Sequence, residues 1–471
     1  MSTRRMSRRE FLKLSGAVMG GAVLASCAPN PTEAPSATEA PPATKAPAPT
    51  EAPKEAPTEA SVTGNVVVMH KVQQGELTAD MVTQFETKYP GITVETVQDD
   101  LTLFFSMYAA GNPPDLVRVQ APSVPPYLAR KMLYDLTPYF EASEVLHPDD
   151  LAPANNYYKA EGPLQVGSGK LYGMCKDWSP DFTLYAYKKA FADKGIPLPS
   201  DTEPLTYAQA YDLGKQLATF EGDRVLMFGF DYPDEWVDRI WMNILGETGD
   251  LLFNDDYTKI NLTGSEKAKE ILQYFFTHAN EKTGAVTAIN PSPNWIGADF
   301  DEGIVALLMY GYWFSAMAET DITRDQVLFI PAPTWTGVRR DPTMTATGMV
   351  MSAVTKVPDA AWKFFQWYNG EEPANDRAGS GWGVPALKSQ YEMMPNESPF
   401  QQQVQKVLQG ELALDTAPLQ FNPYLQERTI TNAWLQYLQQ AVSGAISFEE
   451  LMTNVEFDVN TAIQDGKAAI G

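Results

Sequence analysis

Indole rings in predicted loops are the residues of this sequence best suited to hold a small molecule. The chain contains ten tryptophans, and an indole offers a small molecule a flat apolar face at low conformational cost. Trp382 lies between glycines in "GSGWGVP", where a ligand can approach the backbone closely. Predicted loops therefore favour ligand contact for Trp178, Trp236, Trp295 and Trp382.

Polar residues at the ends of predicted strands form a second candidate set. Ligands of open α/β sheets bind outside the carboxyl ends of the strands. His70 and Lys71 follow the first predicted strand, Gln120 follows the third, and Arg428 in "LQER" could reach a ligand hydroxyl. The alternative for a partly buried lysine or histidine is a structural role with satisfied hydrogen bonds.

The elements that position these residues alternate between strand and helix. "NVVVMH" is predicted as a strand, Thr78 as the cap of the next helix, and "ITVETV" and "PPDLVRV" as further strands. This alternation predicts an α/β fold with mostly parallel sheets. "DFDEG" is predicted to open an apolar helix, and Ser447 with Glu450 to cap the last helix. Helical spacing assigns four further tryptophans to the core: Trp241, Trp362, Trp367 and Trp434.

The sequence argues against catalysis and against a nucleic-acid partner. Its acidic pairs, such as Asp99-Asp100 and Asp149-Asp150, are adjacent, whereas a glycosidase needs two carboxylates about 5 to 9.5 Å apart across a sugar. Three scattered histidines show no zinc-ligand spacing. A net charge of −24 opposes phosphate binding. We therefore expect no enzyme activity, no metal, no cofactor and no nucleic acid.

The first 27 residues have the features of an export signal. "SRREFLK" resembles a twin-arginine signal, and a short charge-free run follows it. "LASC" resembles the lipobox of bacterial lipoproteins, in which the cysteine, here Cys27, is lipidated. We expect an exported protein anchored by lipid on the outer face of the cell membrane, although the general export route remains an alternative to the twin-arginine route.

Residues 28–60 are rich in Pro, Ala, Thr and Glu. Such a segment buries too little apolar surface to fold and is predicted to be a disordered, extended linker. Cys175 is the only other cysteine. If Cys27 is lipidated, no disulfide can form.

Seven phrases in order resemble one family, and they include "FETKYPGITVE", "MYAAGNPPDLVRV", "ARKMLYDLTPYF" and "FDEGIVALLMYGYWF". The sequence is similar to the extracellular solute-binding proteins of sugar ABC transporters, the family that includes maltose-binding protein. Lys131 stands where that family usually has glycine. The resemblance implies a two-lobed periplasmic-binding-protein fold of class II, with hinge-linked lobes that each contain a central sheet and close over a ligand.

The resemblance also implies a domain division and two more ligand residues. One lobe would comprise 61–180 plus 333–372 and the other 181–332 plus 373–471. The chain would pass from one lobe to the other at three crossings, near 179–183, 329–333 and 372–376. Trp313 matches a family position that stacks on sugar, and Asp181 matches a polar position in the cleft.

The implied function is capture of a sugar or short oligosaccharide, as a monomer, for the permease of an ABC importer. A non-sugar solute in the same fold and an extracellular glycan-acting enzyme remain alternatives, because a fold does not determine its ligand.

Overall fold

The computed structural model describes residues 62–284, 295–318, 326–414 and 418–470. The export signal, Cys27 and the linker lie outside these residues. The described strands are, in chain order, β1 (Gly64–His70), β2 (Ile92–Gln98), β3 (Leu116–Val119), β4 (Lys159–Gly162), β5 (Gln165–Leu171), β6 (Gly173–Cys175), β7 (Asp177–Trp178), β8 (Leu184–Tyr187), β9 (Thr219–Glu221), β10 (Arg224–Asp231), β11 (Val305–Met309), β12 (Val327–Ile330), β13 (Gly348–Met351) and β14 (Val384–Pro385).

The described α-helices alternate with these strands through most of the chain and then dominate its last third. They are α1 (Ala79–Lys88), α2 (Leu101–Ala109), α3 (Val124–Ala129), α4 (Thr137–Ala142), α5 (Lys188–Lys194), α6 (Tyr207–Leu217), α7 (Val237–Glu247), α8 (Glu266–Asn280), α9 (Ile296–Asp301), α10 (Ser315–Ala318), α11 (Pro358–Gly370), α12 (Glu372–Ser380), α13 (Pro399–Leu412), α14 (Thr429–Val442) and α15 (Phe448–Ile470). No helix in the described ranges is both long and apolar enough to cross a bilayer.

Two five-stranded sheets form the centres of two lobes. Their strand orders are β2-β1-β3-β13-β6 and β12-β8-β11-β10-β9. The pairs β1–β2, β1–β3 and β10–β11 are parallel, as predicted. β13 and β8 pair antiparallel with both of their neighbours, so the sheets are mixed. The reason is that β6, β8, β12 and β13 flank the places where the chain leaves one sheet for the other and returns.

Local signals in the sequence explain several helix ends. The Thr78 hydroxyl accepts a hydrogen bond from Met81 N at 3.2 Å and begins α1, as predicted. At α15, Glu450 N donates to Ser447 Oγ at 3.2 Å and Ser447 N donates to Glu450 Oε2 at 2.8 Å, which confirms the predicted capping box. Lys131 adopts a φ of 57°, the left-handed region that favours the glycine usual at this position in the family it resembles.

The prediction of an apolar helix after "DFDEG" is wrong. Residues 305–309 form β11, and all five side chains are buried. β11 pairs with β10 on one side and β8 on the other. A short apolar run has no periodicity that separates a buried strand from a buried helix. Here the segment forms a strand because it lies in the centre of the sheet, with a neighbouring strand on each side.

Two chain segments pass between the sheets side by side. One follows β6 and enters β8, and the other leaves β12 and enters β13. They are bonded to each other, because Phe182 N donates to Asp341 Oδ1 at 2.9 Å and Met344 N donates to Asp181 Oδ2 at 2.6 Å. The contacts of the first segment fall within the first predicted crossing, 179–183, whereas those of the second lie at Asp341 and Met344, past the predicted 329–333.

The third predicted crossing, 372–376, is helical instead. It lies in α12, which packs on α11, because Pro373 in the first turn begins a helix rather than an extended strand. The chain reaches the second sheet with α13, whose Gln403 side chain bonds both Phe329 N and Phe329 O in β12, at 3.2 and 2.7 Å.

The four tryptophans predicted as core are buried. Trp362 and Trp367 lie on α11 in contact with aromatic residues of the first lobe, including Phe140 and Phe85. Trp241 on α7 and Trp434 on α14 meet edge to face, with centroids 4.9 Å apart at 85°. Helical spacing therefore separates these indoles correctly from those in loops.

Candidate functional site

A cavity of about 930 Å³ opens at the strand ends of both sheets. Its size falls in the range of small-molecule sites in proteins. The walls come from loops after β1, β2, β3, β6, β10 and β11. They also come from the segment after α12 and from the segments before α9, β13 and α14. We call this cavity the cleft.

One side of the cleft is an aromatic wall, formed by Trp236, Trp295, Tyr310, Trp313 and Trp382. Trp313 is at its centre, with ring centroids 5.0 Å from Tyr310, 5.9 Å from Trp382 and 6.2 Å from Trp295. Trp236 meets Tyr310 at 6.1 Å. The rings thus form a continuous apolar surface on which flat ligand faces can stack.

Short irregular elements hold these rings at the surface. Tyr310 directly follows β11, and Trp313 lies in a 3-10 turn, Tyr312–Phe314. Gly381 ends α12 with a φ of 74°, a left-handed conformation that glycine adopts without strain, and this turn places Trp382 at the cleft. Trp295 remains 42% exposed.

A second group of lining side chains is charged and forms the ionic wall: Glu76, Asp99, Arg118, Lys176 and Asp177. The Arg118 guanidinium makes two bonds to the Glu76 carboxylate, at 2.9 and 3.1 Å, and lies 3.5 Å from Asp99 Oδ2. Lys176 Nζ lies 3.6 Å from Glu76 Oε2 and contacts the Asp177 carboxylate. Charged groups in fixed pairs give a ligand well-oriented donors and acceptors.

Pairing keeps Glu76 and Lys176 of the ionic wall charged against the effect of burial. Burial alone would raise the pKa of Glu76, but Lys176 and Arg118 hold it well below its usual range. Burial alone would lower the pKa of Lys176, but Asp177 and Glu76 raise it. Burial, with Arg118 next, lowers the pKa of Lys71, which also lines the cleft. Removing one partner would leave a desolvated charge, which is costly.

Most of the predicted ligand residues lie on these walls. Those lining the cleft are Trp313, Trp382, Trp178, Trp236, Trp295, Lys71, Gln120 and Arg428. The prediction of a loop at Trp178 is wrong, because Trp178 ends β7, which pairs with β14. Its side chain is nearly buried, and its Nε1 donates to Pro385 O at 3.2 Å. Their placement is compatible with ligand contact, and the contact itself stays a prediction.

His70 and Asp181 lie behind the walls instead. His70 is fully buried at the end of β1, edge to face with Tyr368 at 5.1 Å, and burial lowers its pKa well below its usual value. Asp181 accepts hydrogen bonds from the Ser179 and Thr343 hydroxyls, at 2.5 and 3.0 Å, as well as from Met344 N. A Cβ at Gly311 would overlap the Asp181 carboxylate, so Asp181 packs under the turn that carries Trp313.

Several lining residues were not predicted, among them Glu76, Asp99, Arg118, Tyr310 and Glu427. The strand-end rule could have found Asp99, because it directly follows β2. A charge inside the buried strand "LVRV" was a signal for Arg118. Glu76 and Glu427 are brought to the cleft by loop paths that a single sequence does not specify.

Asp181 predicts a pH effect on stability. Burial raises its pKa to about 6 against the hydrogen bonds from Ser179 and Met344, whereas an unfolded aspartate titrates near 4. The folded state therefore binds the extra proton between about pH 4 and pH 6, and its stability falls as pH rises through this window. Relative to Asp181→Asn, the wild-type chain should lose roughly 2–3 kcal/mol between these pH values, and nothing more above pH 7.

Urea unfolding of both proteins at pH 4, 5, 6, 7 and 8 measures this difference. The comparison isolates Asp181, because the other titrating groups are common to both chains. Parallel stability curves for the two proteins would contradict the assignment.

Comparison with known proteins agrees with this architecture. A family model described as bacterial extracellular solute-binding protein matches residues 80–405. The chain belongs to this family. A search of curated proteins finds no match for this solute-binding protein.

Solved structures share the fold of this solute-binding protein. The ABC substrate-binding protein Lmo0181 from Listeria monocytogenes, in complex with cycloalternan, has a TM-score of 0.69 at 20% identity, over 85% of this chain and 99% of that one. The sugar-binding protein MalE from Xanthomonas citri gives 0.66 at 15%, over 86% and 99%. Maltose-bound MalE3 from T. maritima gives 0.65 at 16%, over 86% and 99%. These likenesses establish the two-lobed fold.

Proposed function

We propose that this solute-binding protein captures a sugar or short oligosaccharide and delivers it to the permease of an ABC importer. The observation that carries the proposal is the cleft, which an aromatic wall and an ionic wall line together. The rings suit the C–H faces of a sugar, and the paired charges suit its hydroxyls. Relatives of the same fold hold cycloalternan and maltose, which supports a saccharide.

Capture requires the lobes to move. We assign residues 61–180 and 333–372 to one lobe and the rest of the body to the other, with two additions to the first lobe. These are α12, which packs on α11, and the segment to Ser389, in which β14 pairs with β7 and Ser389 bonds to Asp150. A sugar that touches both walls binds the closed form better than the open one, and this difference in affinity shifts the equilibrium toward closure. The protein acts as a monomer that presents its closed form to the permease.

Two other functions predict different outcomes in the same experiment. An aromatic solute or a peptide could stack on the same rings. A glycan-acting enzyme would turn its sugar over. Neither alternative has a specific observation in its favour, and the paired acids of the ionic wall are engaged with Arg118 and Lys176.

A ligand screen on the full chain tests the proposal. The panel contains glucose, maltose, mannobiose and cycloalternan, with phenylalanine and a dipeptide as non-sugar solutes. A solute at 100 times its Kd should stabilise the fold by about 2.7 kcal/mol, which thermal unfolding detects and calorimetry confirms as one-to-one binding. Chromatography after incubation should recover the sugar unchanged. A shift with phenylalanine or the dipeptide alone would reject the saccharide, and sugar breakdown would reject the receptor.

We further propose export through the twin-arginine signal and anchoring by lipid on Cys27 at the outer face of the membrane. The order of the arginine pair, the apolar run and the "LASC" phrase supports it. Two acyl signals are enough for stable anchoring, since each buried CH₂ contributes about 0.8 kcal/mol. The extended 28–60 segment would then give the body reach above the membrane.

Cys27→Ser should release the protein from membranes. Fractionation of cells should find the wild-type chain with the membrane and the variant in the medium or periplasm. Cys175→Ser is the matched control, because Cys175 is buried in the body and its loss leaves the anchor intact. A membrane-bound Cys27→Ser protein would contradict the anchor.

A further inference from the structure

A buried arginine lies behind the cleft where elements of both lobes meet. Arg239 is on α7, after β10 of the second sheet, and its side chain is 2% exposed. It does not line the cleft itself. A guanidinium that is this far from solvent requires several partners, because burying an unpaired charge is costly.

Its partners come from three parts of the chain. Arg239 Nη1 donates to Met344 O, in the segment that returns to the first sheet, at 2.9 Å. The same nitrogen lies 3.4 Å from Gln120 Oε1, after β3 of the first sheet. Nη2 donates to Glu427 Oε1, just before α14, at 2.8 Å.

Two further contacts extend this arrangement. The guanidinium lies over the Trp236 ring, 5.4 Å from its centroid, in cation–π geometry. The second carboxylate oxygen of Glu427 accepts from the Ser123 hydroxyl at 3.4 Å, so Glu427 also touches the first lobe. Trp236, Gln120, Glu427 and Ser123 all line the cleft.

We propose that Arg239 is a positioning residue for the sugar site, which holds Trp236, Gln120 and Glu427 in register across the two lobes. This inference rests on the proposed function. The planar guanidinium of Arg239 reaches three groups at fixed angles, whereas a lysine ammonium offers one compact charge. Loss of the guanidinium frees the Trp236 ring, releases Gln120 and leaves the Glu427 charge without its partner. Each change loosens a wall of the cleft rather than removing a ligand contact directly.

The chain offers a matched control for a purely structural role. Arg339 Nη2 donates to Glu411 Oε1 at 2.9 Å, and both side chains are largely buried. Neither residue lines the cleft. Arg339→Met therefore breaks an ion pair of the same type and comparable burial at a position that does not line the cleft.

The experiment compares Arg239→Met, Arg239→Lys and Arg339→Met in the full chain. Stopped-flow tryptophan fluorescence follows the release of maltose, mannobiose or cycloalternan, whichever binds the wild type. We expect Arg239→Met to release the sugar about 10- to 100-fold faster, since loss of one partner in a buried charge pair acts mainly on dissociation. Arg239→Lys should fall in between, and Arg339→Met should release the sugar at the wild-type rate despite a lower urea midpoint.

A second readout needs no sugar. Spin labels at Glu144→Cys in the first lobe and Glu270→Cys in the second, in a Cys27→Ser background, report the distance between lobes; both positions are exposed. Arg239→Met should broaden this distance distribution relative to the wild type. Arg339→Met serves as the control for sugar release only, because Arg339 lies in the segment that passes between the sheets. If no sugar binds the wild type, the proposed function fails while this distance still tests Arg239. Any of three results would overturn the proposal. Arg239→Met could release the sugar at the wild-type rate, both methionine variants could change the release rate equally, or Arg239→Met could leave the distance between the lobes unchanged.

Discussion

Trp313→Ala should weaken sugar binding by about 30- to 100-fold, since truncating a central aromatic contact costs roughly 2–3 kcal/mol. Trp313 touches three other rings of the aromatic wall, at centroid distances of 5.0 to 6.2 Å. Its removal therefore loses a stacking face and also frees the rings beside it. Because Trp313 is half-buried at the cleft, the fold should lose much less than the binding does.

Calorimetry with the sugar that binds best measures the affinity, and urea unfolding without sugar measures the fold. Trp313→Phe is the conservative control and should recover part of the affinity, because a smaller flat ring remains. A large fall in unfolding free energy with unchanged affinity would place Trp313 in the core and remove it from the site.

Trp434→Ala should have the opposite profile, a loss of about 3–5 kcal/mol in unfolding free energy. Trp434 is 1% exposed and meets Trp241 edge to face. Its helix, α14, packs on α7 and α8, so the cavity left by the indole would lie between three helices that cannot all collapse onto it. The sugar affinity of the fraction that remains folded should stay within a few-fold of the wild type.

The midpoint of urea unfolding tests this prediction, with Trp295→Ala as the matched control. Trp295 is 42% exposed at the cleft, so its removal creates no internal cavity and should shift the midpoint little. Equal midpoints for Trp434→Ala and the wild type would show that the helices close over the gap.

The parts of the fold that depend on neighbours along the chain could be predicted from local signals in the sequence. Thr78 and the Ser447–Glu450 pair act on residues three positions away, and their helix starts were predictable. The assignment of helical tryptophans to the core succeeded for a similar reason, since Trp362 and Trp434 lie on helices and are buried. Trp178, predicted in a loop, is instead a nearly buried strand residue. Spacing of 3.6 residues is a property of a single segment.

Features that depend on distant segments were not predictable in this way. The strand β11 takes its identity from β10 and β8 on either side, not from its own five apolar residues. The ionic wall likewise joins Glu76, Arg118 and Lys176 from three loops and strands whose meeting requires the assembled sheet. The position of Asp181 under the Trp313 turn depends on Gly311, a contact that spans well over a hundred residues.

The paired passes between the lobes have a mechanical consequence. They connect two adjacent strands of one sheet, β6 and β13, with two adjacent strands of the other, β8 and β12, and are bonded together midway. Two bonded segments that run side by side bend readily about one axis, the line that crosses both of them. They resist twisting, because a twist would strain the bonds between them. The lobes should therefore approach each other along one path, which brings the same indoles opposite the same charges each time the protein shuts.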